Sequence, residues 1–145
     1  MDAQQRSAGQ GLAERAPRDQ RLIFRNTMKI AEGHLEQYRR AVVDAVAFAF
    51  AERHAPQVMV DVFIDERART ATSFQVYPDS DAVLRHWELS DPYIADVMRH
   101  CTVVAFEVFG EPSDEVRAGL GATPALPVTV LPRLVGYLKG DGLTG

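Results

Sequence analysis

The sequence predicts an α+β domain of ferredoxin-like type: a four-stranded antiparallel sheet with two helices on one face. Three observations predict it. Segments of period-two alternation and segments of three-and-four spacing succeed one another as β-α-β-β-α-β. A chain of 145 residues is the length of a single domain. The strands also carry bulky apolar side chains on both faces, while two helices cover only one side of a sheet. A second sheet, supplied by a twofold copy, is the simplest cover for the other side. The expected state is therefore a homodimer with its sheets face to face.

The elements follow in order. Residues 1–20 are small, polar and non-periodic, with too little apolar surface to offset ordering entropy, and read as a flexible tail. Arg21 to Ile30 alternates: Leu22, Phe24, Asn26, Met28 and Ile30 share one side. Asn26 is the polar exception among them, and Glu32-Gly33 breaks the strand. His34 to His54 is the longest helical pattern, with Leu35, Tyr38, Val42, Ala45, Val46, Ala49 and Phe50 on one stripe. Ala55-Pro56 ends it, because the residue before proline avoids the α region.

Gln57 to Asp65 and Thr70 to Tyr77 alternate and are joined by a short charged link, which predicts an antiparallel hairpin of open turn type. Asp79 or Ser80 caps a helix over Ala82 to Leu89. Ser90-Asp91-Pro92 restarts a second helical piece ending near His100. Thr102 to Gly110 is the fourth strand, followed by a short acidic helix to about Leu120. The expected domain covers residues 21–121. Residues 122–145 form a proline-containing apolar extension that needs a cover, from the chain's own body or from a partner. If the odd-numbered face points away from the helices, it gathers Asp61, Ser73, Gln75, Tyr77 and Glu107 with Met59, Phe63 and Phe109. That mixture reads either as a small-molecule pocket or as ordinary dimer packing.

Composition excludes several classes. Sixteen Lys+Arg against twenty Asp+Glu gives a net charge of −4 with no basic cluster, which argues against a nucleic-acid binder. Nothing approaches a membrane span, and the first twenty residues lack the apolar core of a secretory signal, so the expected compartment is the cytoplasm. A single cysteine, Cys101, rules out an internal disulfide and a Cys-rich zinc site, and it reads as packing at a helix-to-strand junction. His34, His54, His86 and His100 are widely spaced without a metal-binding motif, although a haem ligand among them stays open. Gly119 and Gly121 lack the strand-to-helix context of a phosphate loop, so ATP and dinucleotides are disfavoured. No cofactor is expected.

Three segments carry a resemblance: FRNTMKIAEGHLEQYRRA (24–41), TATSFQVYPDSDAVLRHWELSDPYIADV (70–97) and VVAFEVFGEPS (103–113). Together they resemble the antibiotic biosynthesis monooxygenase-like family of the dimeric α+β barrel superfamily, over roughly residues 21–112. Ala82-Val83-Leu84-Arg85-His86 stands at that family's helix ending in His, and Ser90-Asp91-Pro92-Tyr93 follows where a second His is common. The resemblance implies a dimeric α/β barrel. It also implies a cofactor-independent monooxygenase acting on an aromatic or polyketide-like phenol or quinol held between sheet and helices. Relatives that degrade haem, and non-catalytic barrels that bind an apolar ligand or a partner protein, are the alternatives.

The matching positions are His86 and Tyr93; Asn26 and Trp87 are the nearest counterparts of an Asn and a Trp that catalytic members use. Each also has a plainer reading. His86 is a proton shuttle near neutrality or a helix histidine bonded to a loop. Asn26 holds a substrate oxygen, or bonds across to Gln75 or to a backbone group. Trp87 donates its indole N–H into the cavity or packs in the core beside Val83. Tyr93 lies in the first turn of the restarted helix and is expected to be exposed.

Overall fold

The computed structural model describes residues 20–54, 56–122 and 126–139. All but the last residue of the expected tail lies outside them. Eight elements follow in order: β1 (Leu22–Ile30), α1 (Leu35–Ala51), β2 (Met59–Asp65), β3 (Thr70–Tyr77), α2 (Ser80–Met98), β4 (Cys101–Phe109), α3 (Asp114–Gly121) and β5 (Val128–Leu131). The sheet has the order β2-β3-β1-β4-β5. Its first four strands pair antiparallel in the predicted ferredoxin-like arrangement. The fifth corrects the prediction: β5 pairs parallel to β4, so the sheet is mixed and five-stranded. β5 comes from the segment expected to be an extension. A four-residue strand between prolines is too short to show periodicity, and the neighbouring edge of β4 is what makes it a strand.

Each element has a local cause. β1 buries Leu22, Phe24, Met28 and Ile30, its even-numbered side, as the alternation requires. Gly33 turns the chain out of β1 at φ +79°, a region glycine enters without strain. The Asp79 carboxylate accepts from the Ala82 N–H at 2.9 Å and caps α2. The Ser113 hydroxyl caps α3 by accepting from Val116 N at 3.2 Å. Gly110 ends β4 at φ +120°, and a Cβ there would stand 2.8 Å from the Arg21 carbonyl oxygen, so only glycine fits.

Two helical expectations are corrected. α2 is one helix through Pro92, not two pieces. Proline deprives the Glu88 carbonyl of its i+4 donor. Both residues are exposed, so water can satisfy the freed oxygen and the helix continues. Ser90 is then no cap; it is buried in mid-helix. Phe50, placed on the buried stripe of α1, is 92% exposed. It stands a hundred degrees around the helix from Ala49, on the side facing solvent.

Register settles the faces of the sheet. Asn26 lies opposite Ser73, and Ser73 opposite Val62, so Asn26, Ser73, Gln75, Val60 and Val62 share the helix-covered side. Met59, Asp61 and Phe63 pair with Val76, Phe74 and Thr72 on the outer side, where Arg25 pairs with Glu107 and Ile23 with Phe109. The odd-numbered grouping expected from sequence is thus split between the two faces. β2 and β3 pair even against odd, and parity along a single strand does not reveal this. The outer side is partly apolar: Phe63 is 57% exposed and Met59 40%.

Two cores fill the covered side. One joins Leu22, Phe24, Tyr77, Val83, Val108, Val116 and Leu120 beneath α2 and α3, with Trp87 packed against it. The other joins Met28, Ile30, Tyr38 and Ala71 beneath the start of α1. A hollow lies between them, towards β2.

Candidate functional site

The hollow is a cavity of about 130 Å³ between α1, α2 and strands β1 to β3. Apolar cavities of ~150 Å³ accept a benzene ring. Its walls are mostly aliphatic: Val42, Ala45, Val46 and Ala49 from α1, Val60 and Val62 from β2, and Ile94, Val97 and Met98 from α2. Small side chains on α1 are what leave the space. Asn26, Ser73 and Gln75 make a polar strip across the floor, with Gln57 at its edge and His86 and Ser90 above.

The strip is ordered by hydrogen bonds. Gln57 Nε2 donates to Tyr77 Oη at 3.0 Å, and Tyr77 Oη donates to Gln75 Oε1 at 2.5 Å. Gln75 Nε2 reaches Ser73 Oγ at 3.5 Å. Burial raises the Tyr77 hydroxyl above its ordinary pKa, against a smaller lowering by the Gln57 donor, so it stays neutral and serves as a donor. Gln75 is thereby engaged with Tyr77, and of the alternatives for Asn26 the bond to Gln75 is not made. Asn26 Oδ1 is buried without a hydrogen-bond partner among the described residues. A buried carbonyl without a donor is costly, by roughly 1–3 kcal/mol.

His86 sits at the other side of the cavity. Its Nδ1 is 3.2 Å from Ser90 Oγ, one turn along α2, and its ring lies 5.6 Å from that of Tyr77. Burial pushes its pKa down to about 4, because the apolar walls disfavour the imidazolium. The ring is neutral at pH 7 and can accept a hydrogen bond. Tyr38 closes the far wall, with its hydroxyl 3.5 Å from Met28 Sδ. Burial raises its pKa as well.

Of the four sequence-predicted site residues, the fold brings Asn26 and His86 to one cavity and leaves Trp87 and Tyr93 outside its lining. Trp87 packs towards α3 so closely that a Cβ on Gly119 would stand 2.4 Å from Trp87 Cζ3. Tyr93 is half-buried and stacks on Phe48 of α1, centroids 4.4 Å apart. Sequence reasoning missed Ser90, read as a cap, and Gln57. Ser90 could have been found by its i+4 spacing from His86 within a single helix. It also missed that His34 and His100 meet, with their Nδ1 atoms 3.0 Å apart. Among the described residues no group of three or more His, Cys, Asp or Glu side chains could hold a metal ion. Cys101 opens β4 half-buried, its thiol 3.5 Å from the Val97 carbonyl, and burial pushes its pKa up to about 11.

Several solved proteins share this fold at low sequence identity. The chain superposes on MupZ from Pseudomonas fluorescens with a TM-score of 0.64 and 15% identity, covering 81% of this chain and 95% of MupZ. SnoaB, a cofactor-independent oxygenase from Streptomyces nogalater, matches at 0.53 and 14% identity, over 65% of this chain and 95% of SnoaB. A candidate antibiotic biosynthesis monooxygenase from Caulobacter crescentus CB15 matches at 0.54 and 13%, over 62% and 88%. The chain therefore has the fold of the antibiotic biosynthesis monooxygenase-like proteins. No family model matches the sequence, and no curated protein matches it. Among the described residues no helix is long and apolar enough to cross a membrane.

Proposed function

We propose that this protein is a cofactor-independent monooxygenase that binds an aromatic or polyketide-like phenol or quinol in the cavity under its helices. One observation carries the reading. An otherwise aliphatic cavity brings together a neutral imidazole, His86, and an amide whose buried carbonyl lacks a donor, Asn26. Polar groups converging in an apolar cleft are the mark of a ligand site, whereas a purely packing cavity has no use for them. The likeness to SnoaB gives the reaction type its support.

The chemistry follows from those groups. The aliphatic walls bury the ring, and Asn26 Oδ1 accepts from one substrate hydroxyl. His86 accepts the phenolic proton. A proton acceptor works best with a pKa near the working pH, and a pKa of about 4 is low for the task. The phenolate left behind supplies the opposite charge that burial withholds, and so raises the imidazolium's stability as the transfer proceeds. The electron-rich anion then reduces O₂. In the product a ring CH₂ has become C=O; one oxygen atom is retained and the other leaves as water. The substrate supplies all four electrons.

The outer side of the sheet supports a twofold partner: Phe63 and Met59 are exposed there. Sedimentation at micromolar concentration tests this part, and a monomer would refute it. The activity is tested by oxygen uptake with a panel of dihydroanthracene-type phenols. We expect uptake above the uncatalysed rate, lost in His86→Phe and reduced in Asn26→Ala. Background rates across the whole panel would end the oxygenase reading.

A further inference from the structure

The cavity's polar groups differ in what they still have to offer. Gln57, Tyr77, Gln75 and Ser73 are engaged with one another. Asn26 Oδ1 is an acceptor with no donor. Ser90 is the hydrogen-bonding partner of His86 among the described residues, and it meets only Nδ1. Among the described residues, none lining the cavity is a lysine, arginine, aspartate or glutamate.

Resting on the reading of this cavity as a ligand site, we propose that it selects an uncharged, hydroxyl-bearing ring over an anionic one. His86 Nε2 is the acceptor, and Ser90 is the positioning residue that fixes its tautomer. The separation of 3.2 Å between Ser90 Oγ and His86 Nδ1 puts hydroxyl and ring nitrogen within hydrogen-bonding reach. In the proposed arrangement Nδ1 carries the proton and donates to Ser90. Both residues are buried, on the same face of α2, and separated by one helical turn. The Nε2 lone pair is left without a partner among the described residues and open to a ligand hydroxyl. The partner of the other ring nitrogen is what sets a histidine's tautomer.

Charge selection follows from the lining. A carboxylate entering the cavity would lose its water and meet no cation, since His86 is neutral and nothing else there is charged. It would also place a lone pair against the Nε2 lone pair. A phenol loses less on desolvation and brings the O–H that the acceptor lacks.

The test uses the full-length protein labelled with ¹⁵N, and two probes of similar shape, 4-ethylphenol and 4-ethylbenzoate, at pH 7. Two-bond ¹H–¹⁵N spectra, with His86→Gln to assign the signal, report the tautomer. We expect the Nδ1–H form in the native protein, its loss in Ser90→Ala and its return in Ser90→Thr. Ethylphenol should shift the His86 signal and bind at least about tenfold more tightly than ethylbenzoate. Ser90→Ala should weaken ethylphenol about fivefold, the size of one hydrogen bond, and leave ethylbenzoate unaffected.

An Nε2–H form in the native protein, or an unchanged tautomer in Ser90→Ala, overturns the role of Ser90. Equal binding of the two probes overturns the selectivity. Binding of neither overturns it together with the reading of the cavity as a ligand site. Ethylphenol binding as expected, with no oxygen uptake from any phenol, supports this inference and refutes only the oxygenase chemistry.

Discussion

The helix-covered side of the sheet is filled at one end and hollow at the other. At the filled end Phe24 meets Tyr77 at a tilt and Phe106 edge-on, with centroids 5.2 and 5.3 Å apart, and α3 adds Val116 and Leu120 from above. At the hollow end α1 offers Ala45, Val46 and Ala49 to a floor of Asn26, Ser73 and Gln75. Both ends share strands β1 and β3 and lie under the same helix α2. Side-chain volume and polarity, not backbone architecture, separate a core from a candidate site. The lesson is that two adjacent stretches of one sheet can be read for stability and for function independently.

The sharpest way to break that contrast is to empty the filled end. Phe24→Ala removes a fully buried ring and should cost about 3–5 kcal/mol. Val62→Ala at the hollow end should cost under about 1.5 kcal/mol, because the cavity already stands beside it. Urea unfolding of both variants measures the gap, and equal losses would erase the distinction.

Acid attacks the hollow end instead. His86 titrates near 6.5 when unfolded and at about 4 when folded. Between those values the unfolded chain binds the extra proton. The stability associated with a neutral His86 is fully present above pH 6.5 and drains away as the pH falls to about 4, by about 3 kcal/mol in all. Urea unfolding at a series of pH values should show this slope, and His86→Gln should flatten it. The same low pKa predicts that ligand binding keeps a level profile from pH 8 down to 5.

Gly119→Ala probes the seam between α2 and α3. Its new Cβ would meet the Trp87 ring at 2.4 Å and force it to move, costing about 1–3 kcal/mol. Tryptophan fluorescence should report the shift, since Trp87 is the chain's one tryptophan. The smallest expected change in stability is for Ala49→Leu, which fills the hollow: within about 1 kcal/mol of the native protein. Probe binding measured by NMR should nevertheless be lost. Retained binding would place the ligand elsewhere.

Much of this was legible before any coordinates. The even-numbered apolar side of β1, the Asp79 cap, the hairpin and the order of the first six elements follow from alternation, spacing and turn chemistry, which are local. Asn26 stood out because an amide interrupts an apolar row. His86 came through the resemblance, as did Trp87 and Tyr93, which the cavity does not include. Ser90 was hidden because a serine before Asp-Pro looks like a cap. Because α2 runs on through the exposed Pro92, Ser90 lies in mid-helix one turn from His86.

By itself, then, the chain's residue order determined which segments are strands and helices and which side of β1 is greasy, since backbone preference and side-chain periodicity act within a few residues. Tertiary structure decided the rest. Strand pairing set Ser73 and Gln75 beside Asn26 rather than beside Asp61, and the free edge of β4 made a strand of Val128–Leu131. The pairing of three strands with two helices left a space that no single segment encodes. Register and packing are properties of contacts between segments far apart in the chain, and a periodic pattern fixes a face only relative to its own strand.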